Sequence, residues 1–352
     1  MRKILILMFL FPLVMVQAQT STKRYVRSLK TSATSGVMFG HHDDTLYGYH
    51  RRRGEGIGSD TQDVVGMFPA MMSFDISLIE RGQENKAIFD QMRTAIQQQD
   101  ARGGFVTISW HAENIVTGGN SWDTSGGRVV ESILPGGSKA EDFQVWMDYV
   151  ANFFNSLTDD EGLPIPIIFR PWHECNGSWF WWGRDFCTVE EYKALWSLTV
   201  KSLKKRRVRN VVYAFSPGGD IKSAKEYLAR YPGDKIISIL GVEGYAIRTT
   251  GSTTDRQKFI LNTRRSFDVV TPIALKKRKL LAFTETGMKH NTDTQWWTQT
   301  LWPAIEGYPI CFLVTWRNAT NDDNECYGIY KGHPAEEDFK RFVQNPRILL
   351  KK

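Results

Sequence analysis

An α/β fold of the (β/α)8 TIM barrel type is the fold class that this sequence predicts. Three observations predict it. Eight short runs rich in apolar and β-branched residues recur along the chain. These runs are nearly continuous instead of alternating, as expected for strands covered on both faces of a parallel sheet. Segments with helical spacing fall between them, and alternating strands and helices build a parallel sheet with helices outside. The competing architecture is a doubly wound open sheet, but no Gly-rich dinucleotide loop supports it.

The chain opens on a leader. Arg2 and Lys3 precede an apolar run from Ile4 to Val16, and Val16-Gln17-Ala18 offers the small residues that a signal peptidase reads. Residues 1–18 are therefore expected to be a signal peptide, with 19–352 forming a single barrel domain. The apolar run falls short of the ~20 residues that span a bilayer. No positive stop-transfer cluster follows it, which argues against a retained anchor, and no Cys stands at the cleavage point for a lipid. Export to the periplasm or the medium follows as an expectation. No further apolar stretch of spanning length occurs.

Strand one is expected at Gly36–Gly40, leading into a long charged loop over 41–62. Strand two, Met67–Phe74, precedes a helix over Asn85–Asp100, whose Ala87, Ile88, Met92, Ala95 and Ile96 share one face. Strand three, Phe105–Trp110, precedes a Gly- and Ser-rich loop over 117–137 and a helix over Lys139–Leu157. Strand four, Ile165–Phe169, precedes Thr188–Lys205, and strand five, Val211–Phe215, precedes Ala224–Arg230. Strand six, Ile236–Leu240, precedes Gln257–Phe267. Strand seven, Leu280–Thr284, precedes Thr292–Glu306. Strand eight, Ile310–Trp316, precedes Glu336–Val343, which closes the chain.

Composition excludes several functions. The formal charge is +7, and its densest basic cluster, Lys201 to Arg209, starts on an expected helix. Without a recognition module this reads as a solvated helix end, so no nucleic acid is expected. Cys175, Cys187, Cys311 and Cys326 lack the close pair of a zinc site. Export would permit disulfides, and the sequence does not choose among the three pairings. Aromatic residues make up 12%, with twelve Trp. Trp is a large core residue, but exposed it also offers a flat face for a sugar ring.

In such barrels the site lies at the carboxyl ends of the strands. Those ends carry His41-His42-Asp43-Asp44, Asp75, Trp110-His111, Arg170-Pro171-Trp172-His173-Glu174, Ser216, Glu243 with Tyr245, Glu285 and Trp316-Arg317-Asn318. Glu174 and Glu285 stand out, because strands four and seven face each other across an eight-stranded ring. Retaining glycosidases use two such carboxyl groups, one as acid and base and the other as nucleophile. A lone Glu at a strand end could equally be half of a salt bridge. The adjacent His41, His42, Asp43 and Asp44 suggest a metal site, yet neighbours on a strand point to opposite faces. A two-carboxylate mechanism needs no metal or other cofactor, and none is expected.

The segment FRPWHECNGSWFWWG, Phe169 to Gly183, resembles the acid/base signature of glycoside hydrolase family 26, whose best-known members are β-mannanases. FGHHDDTLYG, FPAMMSFDI, SWHAEN, FTETG and VTWRNA match further segments in family order. The resemblance implies that Glu174 is the acid/base and Glu285 the nucleophile. It implies that His173 hydrogen-bonds near the nucleophile, that Tyr245 orients it and that Trp179 is a platform on the leaving-group side. His111 and Arg317 would bind sugar on the other side, with Trp316 in the same substrate-binding set. Of Trp179, Trp181 and Trp182, the first should face the cleft and at least one other should pack. The flanking GVEGYAIRT, Trp172 and Cys175 depart from the family pattern.

The implied activity is a retaining β-1,4-mannanase, endo- or exo-acting, on mannan, galactomannan or glucomannan, working as a monomer. If the 117–137 loop walls off one end of the groove, short products would leave from a chain end. A β-1,3-1,4-glucanase or xylanase on the same scaffold is the alternative, since one axial hydroxyl separates mannose from glucose. A catalytically inactive glycan-binding protein would be expected to lack one carboxylate, and both are present.

Overall fold

The computed structural model describes residues 22–247, 251–289 and 293–352. The expected signal peptide lies outside the described residues. Eight parallel strands form the barrel: β1 (Val37–His42), β3 (Met71–Asp75), β4 (Phe105–Trp110), β5 (Ile167–Pro171), β6 (Val211–Phe215), β7 (Ile237–Ile247), β8 (Leu280–Lys289) and β9 (Ile310–Thr315). Pairing of β1 with β9, from Met38 opposite Phe312 to His41 opposite Thr315, closes the ring. The expected (β/α)8 TIM barrel is the observed fold.

Alternation along the strands divides the core. Met38, Met71, Ile168, Val212, Ile239, Phe312 and Val314 form an inner cluster. Phe39, Phe74, Phe169, Phe215 and Phe283 belong to the larger cluster that the helices cover. Those helices are α2 (Asp60–Val65), α3 (Lys86–Ala101), α4 (Val129–Ile133), α5 (Ala140–Asn155), α6 (Val189–Lys205), α7 (Ala224–Leu228), α8 (Thr253–Lys277), α9 (Trp302–Ile305) and α10 (Glu336–Val343). α6 starts on a capping box: Thr188 Oγ1 accepts from Glu191 N–H, and the Glu191 carboxylate accepts from Thr188 N–H. Arg207, just beyond its end, takes a positive φ, so the Lys201–Arg209 cluster is a helix end and a turn.

Several expectations need correction. Strand two is split, because β2 (Phe68–Pro69) leaves the barrel and pairs antiparallel with β10 (Ile348–Lys351), itself paired with β1. Pro69 has no N–H to give a central ladder. Helix α8 is far longer than Gln257–Phe267. Phe267, Val270, Ile273 and Ala274 continue one buried face past the expected end, with Pro272 inside the helix. The 292–306 segment begins outside the described residues and holds a π-helical turn, Trp297–Leu301, before α9. Residues 22–35 form a helix, α1, that the sequence pattern does not predict. Its Tyr25 hydroxyl donates to Val106 O and accepts from Val106 N, and Tyr25 and Leu29 join the inner cluster. The four cysteines are free and buried. Among the described residues, no helix is long and apolar enough to cross a membrane.

Strands β7 and β8 run several residues past the barrel rim, paired through Tyr245 opposite Gly287 to Ile247 opposite Lys289. A shift of register between Val242 and Glu243 precedes this extension. It carries Tyr245 and Glu285 up one wall of a cleft of about 1190 Å³ at the carboxyl ends of the strands.

Candidate active site

Glu174 lies in a turn after β5 that the surrounding tryptophans hold. Trp172 and Glu174 both have positive φ, 55° and 51°. Non-glycine residues in that region persist where neighbours over-determine them. Tyr192 OH donates to Trp172 O at 2.6 Å, Trp182 Nε1 to His173 O at 2.8 Å, and Trp181 Nε1 to Ala112 O at 3.0 Å. Glu174 N–H donates to Ser216 O at 2.9 Å. Trp181 and Trp182 are fully buried in this work, whereas Trp179 faces the cleft. Its indole N–H donates to Glu174 Oε2 at 2.6 Å. A Cβ on Gly218 would stand 2.8 Å from Glu174 Oε1, so only glycine leaves the carboxyl its place. Burial, then the charge of Glu285, pushes Glu174 up to about 7.

Glu285 sits across the cleft under different control. Arg170 Nη2 donates to its Oε1 and Tyr245 OH to its Oε2, the latter at 2.6 Å. Arg170 is completely buried. Burial opposes its charge, but Glu285 above all overcomes this and raises its pKa. Tyr245 is held as a neutral donor, because burial and then the charges of Glu285 and Glu174 push its phenol well up. His173 Nε2 stands 4.0 Å from Glu285 Oε1.

A line of side chains links this centre to β3. Ser109 OH donates to Asp75 Oδ2 at 2.6 Å. Asp75 Oδ2 meets His111 Nδ1 at 2.7 Å, and His111 Nε2 meets His173 Nε2 at 3.1 Å. Burial disfavours charge on His111, but Asp75, then Glu285, raises its pKa. His173 is driven well down by burial and by the charges of His111 and Arg170. The assignment that fits is a doubly protonated His111 donating to Asp75 and to a neutral His173.

His42 and Trp316 form the adjoining surface, stacked at 3.9 Å between ring centroids. Arg317 borders the cleft beyond them, 3.7 Å from Glu325. Trp122, Trp179 and Phe180 line another part, and the 117–137 loop contributes Asn120, Ser121 and Trp122 there. His41 turns away from His42 and meets Asp44 and Thr61, so the two histidines lie on opposite sides of β1. His173, Glu243 and Glu285 bring donor atoms within 4.8 Å of one another. Arg170 bridges the two carboxyl groups there, so a protein cation serves that spot.

A family model, glycosyl hydrolase family 26, matches residues 14–291. The chain belongs to that family. A solved family 26 β-mannanase from Bacteroides ovatus is 41% identical, covers 94% of each chain and superposes with a TM-score of 0.88. An endo-β-1,4-mannanase from Cellulomonas fimi is 33% identical, covering 96% of this chain and 77% of its own, at a TM-score of 0.85. A mannan endo-1,4-β-mannosidase from Bifidobacterium adolescentis is 30% identical over 95% of this chain. The chain spans 35%, 45% and 41% of the length of three curated relatives that it matches.

All eight residues singled out in this family 26 sequence come together. Glu174, Glu285, His111, Trp179, Tyr245, Trp316 and Arg317 line the cleft, and buried His173 lies between His111 and Glu285. Sequence reasoning missed the parts played by Arg170, Asp75 and Glu243. Each is visible at a strand end, but nothing in a sequence shows that Arg170, on β5, reaches carboxyl groups on β7 and β8. Trp122 was also missed. It is 59% exposed and edge-on to Phe180.

Proposed function

We propose that the protein hydrolyses β-1,4-linked mannan with retention of anomeric configuration, Glu174 serving as acid/base and Glu285 as nucleophile. One observation carries this reading: two carboxyl groups share a cleft in opposed environments. Burial and the nearby charge of Glu285 favour a proton on Glu174, while Arg170 and Tyr245 each donate to Glu285. A retaining glycosidase needs that division.

In the first step Glu174 gives its proton to the leaving oxygen while Glu285 attacks the anomeric carbon. The covalent glycosyl-enzyme is then opened by water that Glu174 deprotonates. The exposed faces of Trp179 and Trp316 suit pyranose stacking, Arg317 offers donors to hydroxyls, and His111 lines the cleft beside them. The solved family 26 relatives are described as β-mannanases, which supports mannan as the substrate. The leader supports export to the periplasm or the medium.

Wild type, Glu174→Ala and Glu285→Ala, each incubated with mannan, mixed-linkage glucan and xylan, test the assignment. Mannan should be cleaved by wild type, with both variants severely impaired. Cleavage of glucan or xylan alone would overturn the substrate. Long oligomers appearing first would show mid-chain attack, and short products from the start would show action from chain ends.

A further inference from the structure

Arg170 faces two carboxyl groups, and the second, Glu243, has no part in the mechanism above. Glu243 is completely buried at the point where β7 shifts register against β8. Its two oxygens are treated differently. Oε1 accepts from Arg170 Nη1 and from Ser216 OH at 2.6 Å, and Thr284 Oγ1 lies 3.4 Å away. Oε2 is buried and, among the described residues, has no hydrogen-bond partner. A carboxylate spreads its charge over both oxygens and both need donors. Donors on one oxygen and none on the other is the pattern of a carboxylic acid, its C=O accepting and its O–H bare.

From this asymmetry we infer that Glu243 is a positioning residue, held as the neutral acid, that fixes the Arg170 fork and leaves its full charge to Glu285. This rests on Glu285 being the nucleophile. Arg170 cannot reorient while Nη1 is tied to Glu243, so Nη2 stays on Glu285 Oε1. A neutral Glu243 also adds no negative charge beside the two reacting carboxyl groups. Electrostatics agree: burial drives Glu243 well up, Arg170 opposes, and Glu285 and Glu174 push further upward. Ser216 holds the same Oε1 from β6 and also lies 3.5 Å from Arg170 Nη1, so the arrangement is fixed from two strands.

The test uses Glu243→Gln and Glu243→Ala in the full protein. Gln keeps the accepting C=O and carries no charge. Its kcat should stay within about threefold of wild type, with both limbs of the pH profile unmoved. Ala frees Arg170, so kcat should fall about ten- to a hundredfold with KM little changed, the signature of lost transition-state positioning. An ionised Glu243 would give another result. Its removal in Gln would take a negative charge from beside Glu174 and Glu285 and shift both limbs to lower pH, overturning the neutral acid. Wild-type kcat in Ala would overturn the positioning role.

Infrared spectra read the protonation state without activity. The carbonyl band of a buried protonated carboxyl should disappear from the wild-type spectrum on Glu243→Gln substitution. If no such band is lost, the inference fails even where the nucleophile assignment stands. If Glu243→Ala does not fold, the Gln spectrum and pH profile still distinguish a neutral Glu243 from an ionised one.

Discussion

The two sides of the cleft hold their carboxyl groups by different means. Glu174 is held by backbone: a turn with two positive φ residues, clamped by the Trp182 N–H, with Trp179 alone among the described residues donating to the carboxyl itself. Glu285 is held through its oxygens, by Arg170 on one and Tyr245 on the other. Glu174, proposed to carry and release a proton, is given one indole donor. Glu285, proposed to attack as an anion, is given a charged donor and a phenol. Identical side chains thus receive opposite assignments from their surroundings.

The largest effect should come from removing Glu285. Glu285→Ala should lower kcat on mannan by about 10⁴-fold or more, since no covalent intermediate can form. Its raising charge on Glu174 would also vanish, so Glu285→Gln should show Glu174 titrating below about 7 by carboxyl-selective NMR. An unchanged titration would break the electrostatic link between the two sides.

Glu174→Ala should cost about 10²- to 10⁴-fold on mannan, the range for general acid catalysis. An aryl mannoside whose phenol leaves without protonation should lose far less in the first step, so covalent intermediate should accumulate with a burst of phenol. Equal losses on both substrates would contradict the acid role.

Tyr245→Phe removes one of the donors to Glu285. About a ten- to hundredfold fall in kcat is expected, the worth of a hydrogen bond to a charged group. A change confined to KM would instead place Tyr245 in sugar binding.

Trp179→Phe should give the smallest and most specific effect. The indole N–H favours ionised Glu174, so its loss should raise the pKa of the acid. Activity that needs protonated Glu174 fades as pH rises through about 7 in the wild type, and the alkaline limb of kcat/KM should move upward in the variant. An unmoved limb would mean that the indole does not act on this carboxyl.

Much of this was legible in the sequence. Apolar runs such as Phe105–Trp110 and Val211–Phe215 are strands with the expected bounds, because burial on both faces leaves a local signature. Glu174 and Glu285 were legible because strand position fixes which residues reach the rim. What was not legible depends on distant pairing. The extension of β7 and β8 exists because each supplies the other's partners, and its Gly244 and Gly287 are of a type that strands disfavour. The Asp75–His111–His173 line joins three strands through side chains that no spacing connects. Helix α1 follows the expected leader, and its value to the barrel lies in Tyr25 meeting Val106, 81 residues away.

Azide rescue tests the division of labour most directly. Each alanine variant is given an aryl β-mannobioside and azide, and the glycosyl azide is identified by NMR. With Glu174→Ala, azide should open the covalent intermediate and yield the β-azide. With Glu285→Ala, azide should take the vacant position of the nucleophile and yield the α-azide. The opposite pair of configurations would contradict the assigned roles, as would a failure of azide to react in either variant.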